Sequence, residues 1–264
     1  MLLCLGATSG RGESPYACTA GLIMSDFAYH ESNMKNTGIM TGVDLSFSKY
    51  AGPILWDTDL VLEAGKVKYT GEAVNLITGD QFHFSANNNS NVLFEAHVVA
   101  GLPLDTMIKT GSWSFMPFGG LAYRFLDNEV PWAITSSNEY VSGYDRRSNY
   151  LYSPLGFRVD RNLVLGWSAT AKAEYDLFWS GNQYSYLSPT VTNRQTSGYG
   201  LRGSIAFRYK GRDRDFIIEP FVTYWNIGQS KPLVAPTDQT DSVLVIYEPK
   251  NTTTEAGCKF SVSF

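Results

Sequence analysis

Long apolar runs are missing from this chain of 264 residues, and no 18 consecutive residues are apolar. That excludes a transmembrane helix but not a crossing made of strands. Charge is scarce as well, at 17% of residues, against roughly 25% in an average soluble domain. What charge there is, Lys+Arg 21 against Asp+Glu 25 for a net −4, is spread along the whole chain. Without a basic stripe no nucleic-acid partner is expected. Cysteine is rare too: Cys4, Cys18 and Cys258 show no CxxC spacing, so no zinc or other metal site is expected, and an odd count cannot complete a disulfide framework. No GxSxG, HExxH or phosphate-loop pattern occurs, so no catalytic residue and no cofactor are expected from local motifs.

The remaining composition, 44% hydrophobic and 14% aromatic, is that of an ordered chain. Its length allows one large domain or two small ones, and no linker or composition shift divides it. The expected organisation is therefore a segment 1–16, read as the remainder of a signal peptide or a disordered tail from the apolar Met1 to Ser9, followed by one domain over 17–264.

Within that domain the dominant period is two. Tyr199, Leu201, Gly203, Ile205, Phe207 and Tyr209 alternate with Gly200, Arg202, Ser204, Ala206, Arg208 and Lys210. Phe216, Ile218, Pro220, Val222 and Tyr224 alternate with Asp215, Glu219 and Thr223. A third run, Leu163, Leu165, Trp167, Ala169, Ala171, Ala173, Tyr175, Leu177 and Trp179, alternates with Lys172, Glu174 and Asp176. Helical spacing explains none of these runs. Counting them predicts about ten strands, with 8 to 12 open, near 19–30, 37–50, 53–70, 92–105, 112–127, 148–160, 162–180, 198–210, 214–230 and 251–264. Connections near 51, 104–111, 161 and 211 are short, whereas 71–91, 128–147, 181–197 and 231–250 are long, polar and turn-rich, as in Ser85 to Asn91 and Ala235 to Ser242. In that register Cys18 and Cys258 lie about six residues apart, roughly 20 Å along the strands, too far for a disulfide.

Alternation alone also fits a soluble sandwich, which stays as the architectural alternative. Strand length, aromatic residues toward the strand ends (Trp113 and Phe125, Tyr175 and Trp179, Tyr209 and Tyr224) and the short/long asymmetry of the connections favour a bilayer. The last strand sharpens this: Ala256, Cys258, Phe260, Val262 and Phe264 share one parity, and the sequence ends on the aromatic Phe264. It resembles the C-terminal strand of Gram-negative outer-membrane β-barrel proteins. The resemblance implies an all-β, closed, antiparallel up-and-down transmembrane barrel in the outer membrane. It also makes Phe260, Val262 and Phe264 the membrane insertion signal read by the barrel-insertion machinery, with outer-membrane lipids and lipopolysaccharide as surroundings.

With the apolar parity toward lipid, the other parity fills the lumen with Asp57, Asp59, Glu95, His97, Arg124, Arg158, Lys172, Glu174, Asp176, Arg202, Arg208, Glu219, Glu255 and Lys259, joined by Asp44 and Glu63. Mixed charges in a narrow interior read as a network of ion pairs and hydrogen bonds, and about ten strands predict a plugged or very narrow lumen. In size and strand count the chain also resembles omptin proteases, which carry a paired-Asp and an Asp-x-His motif at the external rim. Asp57 and Asp59 form such a pair but sit beside a short turn. The second motif is lacking, because His83 follows Asp80 by three residues, Glu31 follows His30, and His97 is mid-strand. Tyr140, Tyr144, Tyr150, Tyr152, Trp179, Tyr184 and Tyr186 form a candidate external face for a ligand or envelope partner. The expected role is structural, surface-interacting or narrow-pore and non-enzymatic. A small selective channel or an omptin-like or lipid-modifying enzyme is the alternative.

Overall fold

A chain that alternates apolar and polar residues over ten or more positions can bury one face of a strand and show the other to a second medium. The computed structural model, which describes residues 16–74, 81–104, 113–134, 140–141, 143–186, 190–236 and 243–264, is built almost wholly this way, and no α-helix appears among the described residues. Ten strands form the wall: β1 Tyr16–Glu31, β2 Met34–Ala51, β3 Ile54–Val74, β4 Gln81–Gly101, β5 Trp113–Val130, β8 Tyr144–Asn162, β9 Trp167–Ser185, β11 Gly198–Lys210, β12 Asp215–Ile227 and β15 Asn251–Ser263. Each pairs antiparallel with its sequential neighbour, and β15 returns to β1 through Thr19↔Ser263 to Glu31↔Asn251, which closes the barrel. Four small strands decorate one end: a hairpin of β6 Ala133–Ile134 with β7 Tyr140–Val141, and another of β13 Leu233–Pro236 with β14 Val243–Ile246. A further strand, β10 Val191–Gln195, extends the wall beside β9.

The apolar parity faces outward on every wall strand. Leu22, Ile39, Leu62, Val98, Leu121, Leu155, Leu177, Ile205, Val222 and Phe260 are all large, apolar and exposed. A belt this continuous has no place in water and fits lipid. Trp167 packs against Tyr209 at the end that carries both chain termini, with Trp113 and Phe115 on the same rim. Tyr175, Tyr199 and Tyr224 stack side by side on β9, β11 and β12 nearer the other end. Outer-membrane barrels keep short turns on the periplasmic side, which makes the terminus-bearing end periplasmic.

Wall height is uneven. The β3 and β4 strands have 21 residues each, while β11, β12 and β15 have 13. At ~3.3 Å per residue and ~45° tilt these climb roughly 50 Å and roughly 30 Å, against an apolar band of about 25 Å. One wall therefore projects well beyond the lipid and the other barely clears it.

That projection corrects two expectations. Ser85 to Asn91, read as loop, lies inside β4, and the stretch 181–197 is largely strand, in β9 and β10. Above the lipid the outward face is wet, so the apolar alternation that marks a strand disappears while the ladder continues. The external β1–β2 connection is only Ser32 and Asn33. Leu163 and Leu165 belong to the turn before β9, with Leu165 at φ 58° and 88% exposed, so the lipid-facing run begins at Trp167. Cys18 and Cys258 are free, and the register Met24↔Cys258 sets them six residues apart as expected. Residues 237–242 of the predicted loop near Ala235 lie outside the described residues.

Two irregularities steer side chains. A bulge at Trp179 shifts β9 against β8, so that Phe178 points inward, Trp179 outward, and Gly181, Gln183 and Ser185 inward again. A Cβ on Gly181 would come within 2.7 Å of the Tyr150 ring, so the bulge and the glycine together make room for that tyrosine inside the barrel. A second bulge, opposite Val67 and Tyr69, is held by the Asn89 amide, which donates to the carbonyls of Val67 and Ala86.

Candidate functional site: the barrel lumen

All sixteen acidic, basic and histidine positions expected in the lumen are placed there by the alternation of their strands, and the structure divides them into tiers. Nearest the periplasm, Lys259 on β15 reaches Asp44 on β2 at 2.5 Å across the intervening β1. Arg158 binds Asp160 through both Nε and Nη2, and Thr170 donates to the same carboxylate at 2.6 Å. Arg208 pairs with Asp215, and Asp57 accepts the Ser48 hydroxyl at 2.9 Å. Asp59, Lys172, Glu219 and Glu63 face a cavity of about 130 Å³ that also touches His97, Arg202 and Glu255. That is room for several waters.

At mid-height two arginines bridge the barrel. Arg124 on β5 donates to Glu95 at 2.6 Å and to Glu255, on the opposite strand β15, at 2.8 Å. Arg202 on β11 forms a bidentate pair with the same Glu95, at 2.7 and 2.8 Å, and reaches Asp176 at 2.8 Å. Its Nη2 also donates to the Tyr152 hydroxyl at 3.0 Å, which shares a hydrogen bond of 2.7 Å with His97 Nε2. Both guanidinium groups stack near Trp225, at 5.8 and 5.6 Å from its ring. Geometry of this kind, bidentate and shared between strands, ties the wall together from within.

Beside and above this level two apolar clusters fill part of the interior. Phe27, Tyr29, Met40, Val67, Leu93 and Leu126 make one packed cluster, and Ala122, Tyr150, Tyr152, Phe178, Trp225 and Ile227 another. Tyr150 and Tyr152 therefore lie inside the barrel, not on an external face, because they share the inward parity of Arg158. Tyr140 does stand outside, stacked on Trp132, and Tyr186 lies beneath the Arg147 guanidinium. Trp179 is 48% exposed on the outer wall.

At the external end Arg146 reaches across the barrel. From β8 it pairs with Glu31 on the opposite strand β1 and with Glu248 in the segment leading to β15, and its guanidinium lies 5.7 Å from the Tyr29 ring. Burial first and the Glu31 charge next push the Glu248 carboxyl up to about 8, against the pull of Arg146. Seven buried amides on the longer, outer parts of the strands, Asn36, Asn91, Asn128, Gln183, Asn193, Gln195 and Asn251, each keep a polar atom without a hydrogen-bond partner among the described residues. Arg146 and Glu31 were legible by extending the inward parities of β8 and β1 beyond the expected strand ends. Glu248 follows no repeat and had no signal.

The histidines do not assemble. His30 is exposed on the outer face of β1, His83 is 3.3 Å from Glu72 at the top of β4, and His97 sits in the lumen. Asp57 and Asp59 lie toward the periplasmic end of β3, away from the external mouth. Among the described residues no three acidic, histidine or cysteine side chains converge to hold a metal ion.

The sequence matches no protein-family model and no curated protein sequence. Among solved structures, the outer membrane protease OmpT from Escherichia coli superposes with a TM-score of 0.61, covering 97% of this chain and 99% of that one at 10% identity. The Neisserial surface protein A (TM-score 0.36, 8% identity, 96% and 100% covered) and the Pseudomonas putida toluene transporter TodX (TM-score 0.37, 11% identity, 96% and 90% covered) are more distant matches. The fold is that of a ten-stranded outer-membrane β-barrel. At this identity the likeness carries architecture alone.

Proposed function

We propose that this protein is an integral outer-membrane barrel of a Gram-negative bacterium with no enzymatic role. It holds a rigid external wall of strands as an interaction face, and its lumen is kept shut. The packed apolar layer under the Arg146 lock carries this reading: a conduit needs a wet path from end to end, and here the charged tier is capped by side chains in contact. The projecting β3–β4–β5–β8–β9 wall supplies the surface for an extracellular ligand or envelope protein. Lys35, Lys66 and Lys68 stand outward on β2 and β3 just above the apolar Ile39 and Leu62, at the height where lipopolysaccharide phosphates would meet them. Phe260, Val262 and Phe264 face lipid on the closing strand and are taken as the insertion signal. The wet periplasmic cavity favours one second reading, a narrow selective pore that opens on demand.

Expression in a Gram-negative host followed by membrane fractionation and external protease treatment tests the first reading. The protein should sediment with outer membranes, run at a faster position in cold detergent than after boiling, and be cut only in its long external connections. A soluble protein with a single mobility would overturn it.

A further inference from the structure

The lumen cavity keeps an excess of negative charge once its ion pairs are drawn. Among the described residues, Lys259 stands beside Glu219 in register but places its ammonium on Asp44, Arg202 is taken by Glu95 and Asp176, and Arg124 by Glu255. Asp59, Glu63 and Glu219 remain facing the cavity, where the further cations are Lys172 and Arg208, the latter paired with Asp215. Glu63 is 1% exposed and accepts the Ser25 hydroxyl at 2.7 Å, its one hydrogen bond among the described residues. A buried carboxylate answered by a neutral hydroxyl is a strong attractor for positive charge. The carboxylates come from β3 and β12, on separate sides of the space, and no trio converges as a metal ion requires.

We propose that this cavity binds a small organic cation, a primary ammonium or diammonium compound, between Glu63, Asp59 and Glu219. An ammonium group donates up to three hydrogen bonds, so each end of a diammonium guest is answered by a carboxylate of the lining and the hydroxyls beside it. The space of about 130 Å³ is comparable to engineered cavities of about 150 Å³ that take a six-carbon ring. It suits a chain of similar size with a charge at each end. The lining residues Thr19 and Ser261 place the approach on the periplasmic side.

Isothermal titration calorimetry of the full chain in detergent, with 1,4-diaminobutane as titrant and 1,4-butanediol as the uncharged control, tests this. Saturable binding of one diamine and none of the diol is expected. The Glu63→Gln/Glu219→Gln variant should bind at least tenfold more weakly, and Lys172→Met, which removes a like charge, should bind more tightly. No saturable heat, equal binding of the diol, or unchanged affinity in the double variant would overturn the proposal. If the double variant does not fold, Lys172→Met decides it alone: unchanged or weaker affinity rejects the site.

Discussion

Above the level of Arg124 the barrel interior holds two clusters of aromatic and aliphatic side chains, several buried amides and one buried arginine paired with two carboxylates. Below it the interior is charged and encloses a polar cavity. The two halves share the same strands and the same inward parity. What differs is which residues occupy that parity: Phe27, Met40, Leu93 and Trp225 toward the exterior, and Asp44, Asp59, Lys172 and Lys259 toward the periplasm. On the proposed reading, closure is a property of side-chain choice in a frame that would otherwise admit water, and the arginine tier is the seam between the two regimes.

Breaking the seam should cost most. Arg124→Met leaves Glu95 and Glu255 buried without their shared partner, and the loss of an ion pair of this kind is worth about 3–5 kcal/mol. The urea midpoint of the lipid-reconstituted barrel should fall accordingly; an unchanged midpoint would show that the tier does not hold the wall. Next in size is the lipid face. Ile205→Arg, mid-strand and outward on β11, should destabilise by about 2–4 kcal/mol. Leu165→Arg, in the periplasmic turn, should stay within about 0.5 kcal/mol. Equal costs at the two positions would misplace the membrane boundary.

The smallest effect sharpens the difference at the mouth. A carboxyl raised from 4.5 to about 8 on folding contributes stability that is full below pH 4.5 and is lost as pH climbs toward 8. Wild-type barrels should therefore lose part of their urea resistance between pH 5 and pH 8, and Glu248→Gln should flatten that part of the profile. Identical profiles would remove Glu248 from the lock.

Much of the barrel was legible because lipid enforces a strict code. On β11 and β12 every outward residue from Leu201 to Tyr209 and from Phe216 to Val222 follows it, and the inward Arg202, Arg208 and Glu219 fall out by subtraction. The code stops where the lipid stops. Ser85 to Asn91 continue a ladder with both faces polar, so strand and loop look alike in sequence. Inside, the parity shared with Arg158 puts Tyr150 and Tyr152 inward, against the external face expected of them, and nothing in the sequence says that they meet Trp225, since packing across the lumen joins strands far apart in the chain. The bulge at Trp179 reverses parity without any proline or glycine at that residue, and Glu248 reaches Arg146 from an irregular segment. Asp57 and Asp59 show the opposite failure, a suggestive pair whose strand position, near the periplasmic turn, separates it from the rim.

Single-channel recording in planar lipid bilayers tests closure most directly. Purified wild-type barrel at neutral pH should insert without stable ion-conducting steps, because the apolar layer beneath Arg146 interrupts the wet path. A steady open conductance from the wild-type protein would contradict a shut lumen and make the narrow selective pore the correct reading.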